Sequence, residues 1–266
     1  MGQLYIIPDR QNIEQSIELI QEYDGAFEYN DFWTPAILED RRKQEEIIEY
    51  YAGYRTDFSK DTMHGAFLDV CIHSEDPLIR EVSVKRVRQS MDIAERMGLR
   101  GVVFHTGILA GCRISSYLEH WKRANAEFFR QIAEEYPKQQ IFMENMFDEQ
   151  PAELAELGEL MRDVDNFGIC LDYAHSVLSN CPEEEWIKAL APYIRHMHIN
   201  DNDLYRDLHQ PVGDGMIDWQ SFVKLAQQYQ IDATVLVEVK GYEGQKRSLE
   251  YIKKQHVFPD NRQSEV

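Results

Sequence analysis

Short apolar runs alternate along the chain with longer segments whose apolar residues recur at helical spacing. The runs are QLYII, GAFEYN, TMHGAFL, GVVFHTG, IFMENM, FGICLDY, IRHMHIN and TVLVEVK. Helices are predicted over residues 11–22, 35–51, 77–98, 115–136, 151–163, 183–191, 218–229 and 243–254. Ile13, Ile17 and Ile20, for instance, share one face of the first. Asp76-Pro77 and Cys181-Pro182-Glu183 read as helix starts, because proline is tolerated in a first turn, where its missing N–H is not needed. Strict alternation of strand and helix calls for parallel strands joined by crossover helices. Eight such units predict an α/β fold, a single-domain (β/α)8 barrel over residues 1–256, followed by a polar tail at 257–266.

Composition narrows the classes. The chain has 266 residues, 43% of them hydrophobic, which is ample for one large core. No apolar run is long enough to cross a membrane, and the N-terminal MGQLYIIPDRQ lacks the basic and apolar regions of a signal peptide. Ile6 stands where a myristoylation pattern needs Ser or Thr. Cys71, Cys112, Cys170 and Cys181 show no close pairing, so a cytoplasmic protein with reduced thiols is expected. The net charge of −19, from 47 acidic and 28 basic residues, disfavours nucleic acid as a partner. Glu-rich stretches such as EDRRKQEEIIEYY and PEEEW read as solvated helix faces.

In a barrel of this kind the active site lies at the C-terminal ends of the strands, where several runs here end in polar residues. Strand alternation in IRHMHIND places Ile194, His196, His198 and Asn200 on one face and Met197 and Ile199 on the other. The third run offers His64, the fourth His105, the fifth Glu144, the sixth Asp172 with His175 beyond it, and the eighth Glu238 and Lys240. Charged groups set into apolar strands are costly unless paired or bound to a cation. One inward histidine is ordinarily a satisfied core residue, but six strand ends behaving alike are hard to explain by packing. A mixed carboxylate and imidazole set suits one divalent cation: Mn, Co, Zn or Mg.

These residues resemble those of the xylose isomerase-like TIM-barrel superfamily, specifically its sugar phosphate isomerase/epimerase branch, over nearly the whole chain. Glu144, Asp172, His198 and Glu238 occupy, in order, the places of that family's Glu, Asp, His and Glu metal ligands. Asp172–His175 matches its DxxH element, with His175 in the place of a substrate-binding histidine, and DLHQPVGDGMIDW its loop after strand seven. The resemblance implies metal-dependent isomerisation or epimerisation of a sugar or sugar phosphate through an enediolate, with Glu144 and Glu238 as acid/base pair. It also implies substrate contacts from His64, His105, His175, Asp207 and His209, and is compatible with a homo-oligomer; Lys240 is a candidate for binding a substrate oxygen or for pairing with a neighbouring carboxylate. A lyase similar to inosose dehydratase shares this chemistry.

The competing resemblance is to endonuclease IV, a multi-zinc phosphodiester hydrolase of the same superfamily. Its additional ligands match His64, His105, His175, Asp207 and His209, implying two or three zincs. Against it stand the acidic charge and the lack of a basic stretch beyond Arg41 and Arg42. The isomerase/epimerase reading is therefore preferred at this level. Phe32 and Trp33 are candidates for a sugar pocket or for loop packing. Glu28 faces inward and reads equally as a partner of a ligand histidine or substrate and as a structural carboxylate. His196 reads as core or supporting, Asp201 and Asp203 as loop-forming or solvated, and His120 and His256 as without a role.

Overall fold

The computed structural model describes residues 2–258, so residues 259–266 of the expected tail lie outside it. Eight parallel strands close into a barrel in chain order. They are β1 (Leu4–Ile6), β2 (Ala26–Tyr29), β3 (Thr62–His64), β4 (Gly101–His105), β5 (Gln140–Glu144), β6 (Phe167–Asp172), β7 (Ile194–Ile199) and β8 (Thr234–Val237). The helices are α1 (Ile13–Glu22), α2 (Pro35–Leu38), α3 (Arg41–Ala52), α4 (Pro77–Met97), α5 (Ser115–Glu135), α6 (Ala152–Leu160), α7 (Tyr173–Leu178), α8 (Glu183–Leu190), α9 (Trp219–Gln228) and α10 (Tyr242–Gln255). Among the described residues no helix is long and apolar enough to cross a membrane.

Alternation along each strand divides the apolar residues into two sets. Val102, Phe104, Ile141, Met143, Leu171, Met197, Val235 and Val237 face the helices and join one continuous core. Inside the barrel, Tyr5, Ala26 and Leu236 form one small cluster, and Val103, Phe142 and Cys170 another. Each large side chain fully buried this way contributes roughly 1.5–3 kcal/mol. The interior also holds fully buried polar groups, Glu28, Thr62 and His196, level with or above these clusters.

Local chemistry explains where the elements depart from expectation. The helix expected over 35–51 is two, because the Asp40 side chain accepts from Arg42 N and Lys43 N and caps a new start. The short helix α7 was not anticipated; Asp172 caps it by accepting from His175 N. Asp76 caps α4 as its sequence suggests, and Gly98, at φ +69°, ends it in the left-handed region. Ile194 does not share a face with His196. The β6–β7 register pairs Ile169 with Ile194 and Cys170 with His196, so Arg195 is an extra residue that flips the alternation. Ile194 therefore packs in the outer core with Met197 and Ile199, while His196 and His198 point inward.

Candidate metal centre

The strand ends converge on one buried cluster. Nine side chains fall into three groups: Glu144, Asp172, His198 and Glu238; His64, His105 and Glu144; and His175, Asp207 and His209. Within each group one potential ligand atom per residue lies within 4.8 Å of the others. Glu144 belongs to two groups through different oxygens. Its Oε1 lies 3.1 Å from His198 Nδ1, and its Oε2 lies 3.2 Å from His105 Nε2 and 3.4 Å from His64 Nε2. The Nε2 atoms of His64 and His105 are 3.1 Å apart, both turned toward that oxygen. Asp207 Oδ2 sits between His209 Nε2 at 3.1 Å and His175 Nε2 at 3.4 Å.

Each ring is held from behind. His64 Nδ1 bonds to Gly65 O at 3.0 Å, His175 Nδ1 to Asn145 O at 2.9 Å, and His209 Nδ1 to Glu238 O at 3.0 Å. His105 Nδ1 lies 3.1 Å from Met146 Sδ. Donation to a carbonyl keeps the proton on Nδ1 and leaves Nε2 free to face the cluster. The Asn145 side chain pins Asp172, accepting from its N–H and donating to its carbonyl, both at 2.9 Å. Glu238 lies just beyond β8, where its backbone N–H donates to Ile199 O.

The electrostatics call for cations or protons. Burial pushes the Asp172 carboxyl up to about 7, with Glu238 and Glu144 adding to the effect against His175. Burial works against the charged form of His198, but Glu144, Glu28 and Glu238 outweigh it and hold its pKa well above the ordinary value. His209 is likewise driven to about 9, its burial overcome by Asp207 and Glu238. The buried oxygens Glu144 Oε2, Asp172 Oδ2, Asp207 Oδ1 and Glu238 Oε2 have no hydrogen-bond partner among the described residues. Unpartnered buried carboxylate oxygens converging with imidazole nitrogens are a donor set that suits divalent cations.

Lys240 stands apart from these nine. It is exposed, because the backbone leaves the strand at Val237 and the alternation that put Lys240 on the same face as Glu238 no longer applies. Phe32 is fully buried in the core. Trp33 stacks on Phe67, with ring centroids 4.9 Å apart, and Phe67 in turn lies 4.8 Å from both the His64 and His105 rings. Sequence reasoning missed Phe67 and Asn145 as site residues; Asn145, directly after Glu144 at a strand end, offered a signal. Asp201 is fully buried and organises the loop bearing Asp207 and His209, whereas Asp203 bonds to Tyr205 N and Arg206 at the surface. Arg41 and Arg42 pair with Glu45 and Glu46 along exposed α3.

The architecture has known counterparts. A functionally uncharacterized protein of Methanocaldococcus jannaschii is 24% identical over 95% of this chain and 87% of its own length. A probable endonuclease 4 of Persephonella marina is 23% identical over 69% of this chain and 70% of its own. Among solved structures, a Thermus thermophilus protein soaked with zinc chloride superimposes with TM-score 0.75 at 24% identity, covering 95% of this chain and 97% of that one. A D-tagatose 3-epimerase-like protein superimposes with TM-score 0.72 at 23% identity, covering 95% and 96%. Residues 25–255 match the profile of one family, and the closed eight-stranded barrel agrees with it: the chain belongs to the xylose isomerase-like TIM barrel family.

Proposed function

We propose that this protein is a metal-dependent hydrolase of small phosphate esters, with up to three divalent cations, zinc best matching the donors. The observation that supports it is the division of Glu144, one oxygen in each of two ligand groups, with a third group beside them. Such cations would neutralise phosphate oxygens and stabilise the charge that develops in the transition state. The chain's own residues supply the rest. Glu144, Asp172, His198 and Glu238 would hold one cation, His64, His105 and Glu144 a second, and His175, Asp207 and His209 a third. Glu238, at 9% exposure the carboxylate of its group nearest the mouth, is placed to take the proton of an attacking water. The acidic surface speaks for a compact substrate, such as a sugar phosphate, over a long phosphate backbone. Four free cysteines suit a cytoplasmic location.

A second reading, a one-cation sugar isomerase or epimerase, is favoured by the completeness of the Glu144, Asp172, His198 and Glu238 group on its own. That mechanism needs Glu144 as a base. Imidazoles of His64, His105, His198 and His175 surround it within 3.8 Å, and against the cost of burial His198 and His105 hold its carboxyl well below the usual range. The carboxyl of Glu238 is lowered as well, so the preference for the hydrolase over the reading the sequence favoured rests on the sharing of Glu144 between two ligand groups and on the third group beside them. Elemental analysis after purification without chelator, paired with two assays, separates them. Two or three zincs with hydrolysis of p-nitrophenyl phosphate or bis(p-nitrophenyl) phosphate support the hydrolase, and abasic DNA is the comparison expected to be the poorer substrate. One cation per chain with solvent deuterium entering a ketose would overturn it in favour of the isomerase.

A further inference from the structure

Glu28 belongs to none of the three ligand groups, yet it is fully buried beneath them with each oxygen facing a histidine. Its Oε2 accepts from Thr62 Oγ1 at 2.7 Å and lies 3.1 Å from His196 Nε2. Its Oε1 lies at ion-pair distance, 3.1 Å, from His198 Nε2, and neither of those two buried atoms has a hydrogen-bond partner among the described residues. The opposite nitrogen, Nδ1, lies 3.1 Å from Glu144 and 3.4 Å from Glu238. Three other ligand histidines turn the rear nitrogen to a backbone carbonyl. His198 alone among the five turns it to a carboxylate.

We infer that Glu28 is a positioning residue that selects which nitrogen of His198 faces the cation. A carboxylate only accepts, so it holds a proton on Nε2; when a cation replaces the proton that Nδ1 shares with Glu144 and Glu238, Nδ1 is the nitrogen whose lone pair would meet it. Thr62 and His196 fix the plane of that carboxylate, with Thr234 Oγ1 holding His196 from behind at 2.6 Å. Glu28→Gln keeps the shape but changes the selection. Its amide can donate to Nε2, which moves the ring proton to Nδ1, the nitrogen the cation needs.

The inference rests on His198 being a cation ligand, and the test separates the two. Zinc affinity of the full chain is measured by competition with a chromophoric chelator. The His198 ring nitrogens are followed by 15N NMR in the zinc-loaded protein. E28Q is expected to weaken binding at the His198 group about 10- to 100-fold, with the wild-type pattern of bound Nδ1 and protonated Nε2 lost. A merely structural Glu28 would lower thermal stability and leave affinity and ring signals as in wild type, which would overturn the proposal. Should E28Q not fold, Thr62→Val removes the bond that orients the carboxylate. It is expected to weaken zinc several-fold, and unchanged affinity overturns the proposal equally. His198→Gln reports on the underlying reading. If it leaves zinc binding intact, the ligand assignment fails. If it weakens zinc and E28Q does not, only the role of Glu28 fails.

Discussion

Asp201 offers a sharp perturbation of the loop that delivers the third ligand group. Its Oδ1 accepts from Asn202 N at 3.0 Å and Ile217 N at 3.1 Å, and its Oδ2 from Gly213 N at 2.8 Å and Trp219 Nε1 at 2.9 Å. Its backbone exchanges two hydrogen bonds with Gln210, the residue after His209. Gly215 packs so closely that a Cβ there would lie 2.2 Å from Asp201 Oδ1. In Asp201→Asn, whichever way the amide turns, one oxygen becomes an NH2 group facing two N–H donors. Two charge-assisted bonds are lost and two buried donors are left unsatisfied, at about 1–3 kcal/mol each, or about 4 kcal/mol together. Guanidinium unfolding should show that loss. Amide exchange should quicken at Gly213 and Ile217, and bound zinc should fall by one equivalent. Stability within 1 kcal/mol of wild type, with full zinc content, would refute the claim that this carboxylate holds Asp207 and His209 in place.

Glu144→Gln should remove two zincs rather than one, as read by elemental analysis, because both groups that share the residue lose a carboxylate oxygen; loss of a single equivalent would contradict the shared role. Chelation should lower the melting temperature by roughly 10 °C relative to the zinc-saturated protein, since ligand at about a thousandfold excess over its Kd adds about 4 kcal/mol; scanning fluorimetry with EDTA and then added zinc checks this. Asp148, pushed up to about 6 by burial despite bonds from Met146 N and Thr106, holds in the fold a proton that the unfolded chain has already released. Its stabilising contribution is present at low pH and is lost as pH rises through about 6, a swing of about 3 kcal/mol. The difference in unfolding free energy between metal-free wild type and Asp148→Asn should follow that slope between pH 4 and 7, and a flat difference would sink the assignment.

What could be read from the sequence follows from the range of the forces involved. Charged residues ending apolar strands announce themselves because burial makes them costly, so His64, His105, Glu144, Asp172, His198 and Glu238 stand out from pattern alone. Asp207 and His209 lie in a loop with no periodicity and were reachable only through resemblance. Lys240 was read by extending strand alternation past the point where β8 ends, a boundary no local signal marks. The extra residue at Arg195 escaped for a similar reason: a bulge depends on how two distant strands register, and one strand's alternation cannot reveal it. Asp40 and Asp172 as caps were readable in principle, since each precedes a helical turn, but an aspartate inside an apparent helix or at a ligand position invites the other reading.

The same argument explains why so many ionisable groups are tolerated together. Glu28, Glu144, Asp172 and Glu238 are buried together with His64, His105, His175, His196 and His198. Without cations the balance falls to protons. Imidazoles closest to several carboxylates, His198 and His175, are held charged against the cost of burial. His105 and His196, where burial outweighs the neighbouring carboxylates, are pushed toward neutral. A cation entering the cluster takes over the neutralising role, so the ring protons that face it must leave. Protons on Nδ1 or Nε2 that point to carbonyls or to Glu28 stay, because they satisfy acceptors the cation does not reach. The hydrogen bonds behind each ring therefore decide which protons are exchangeable for metal, and the fold supplies that decision before any cation arrives.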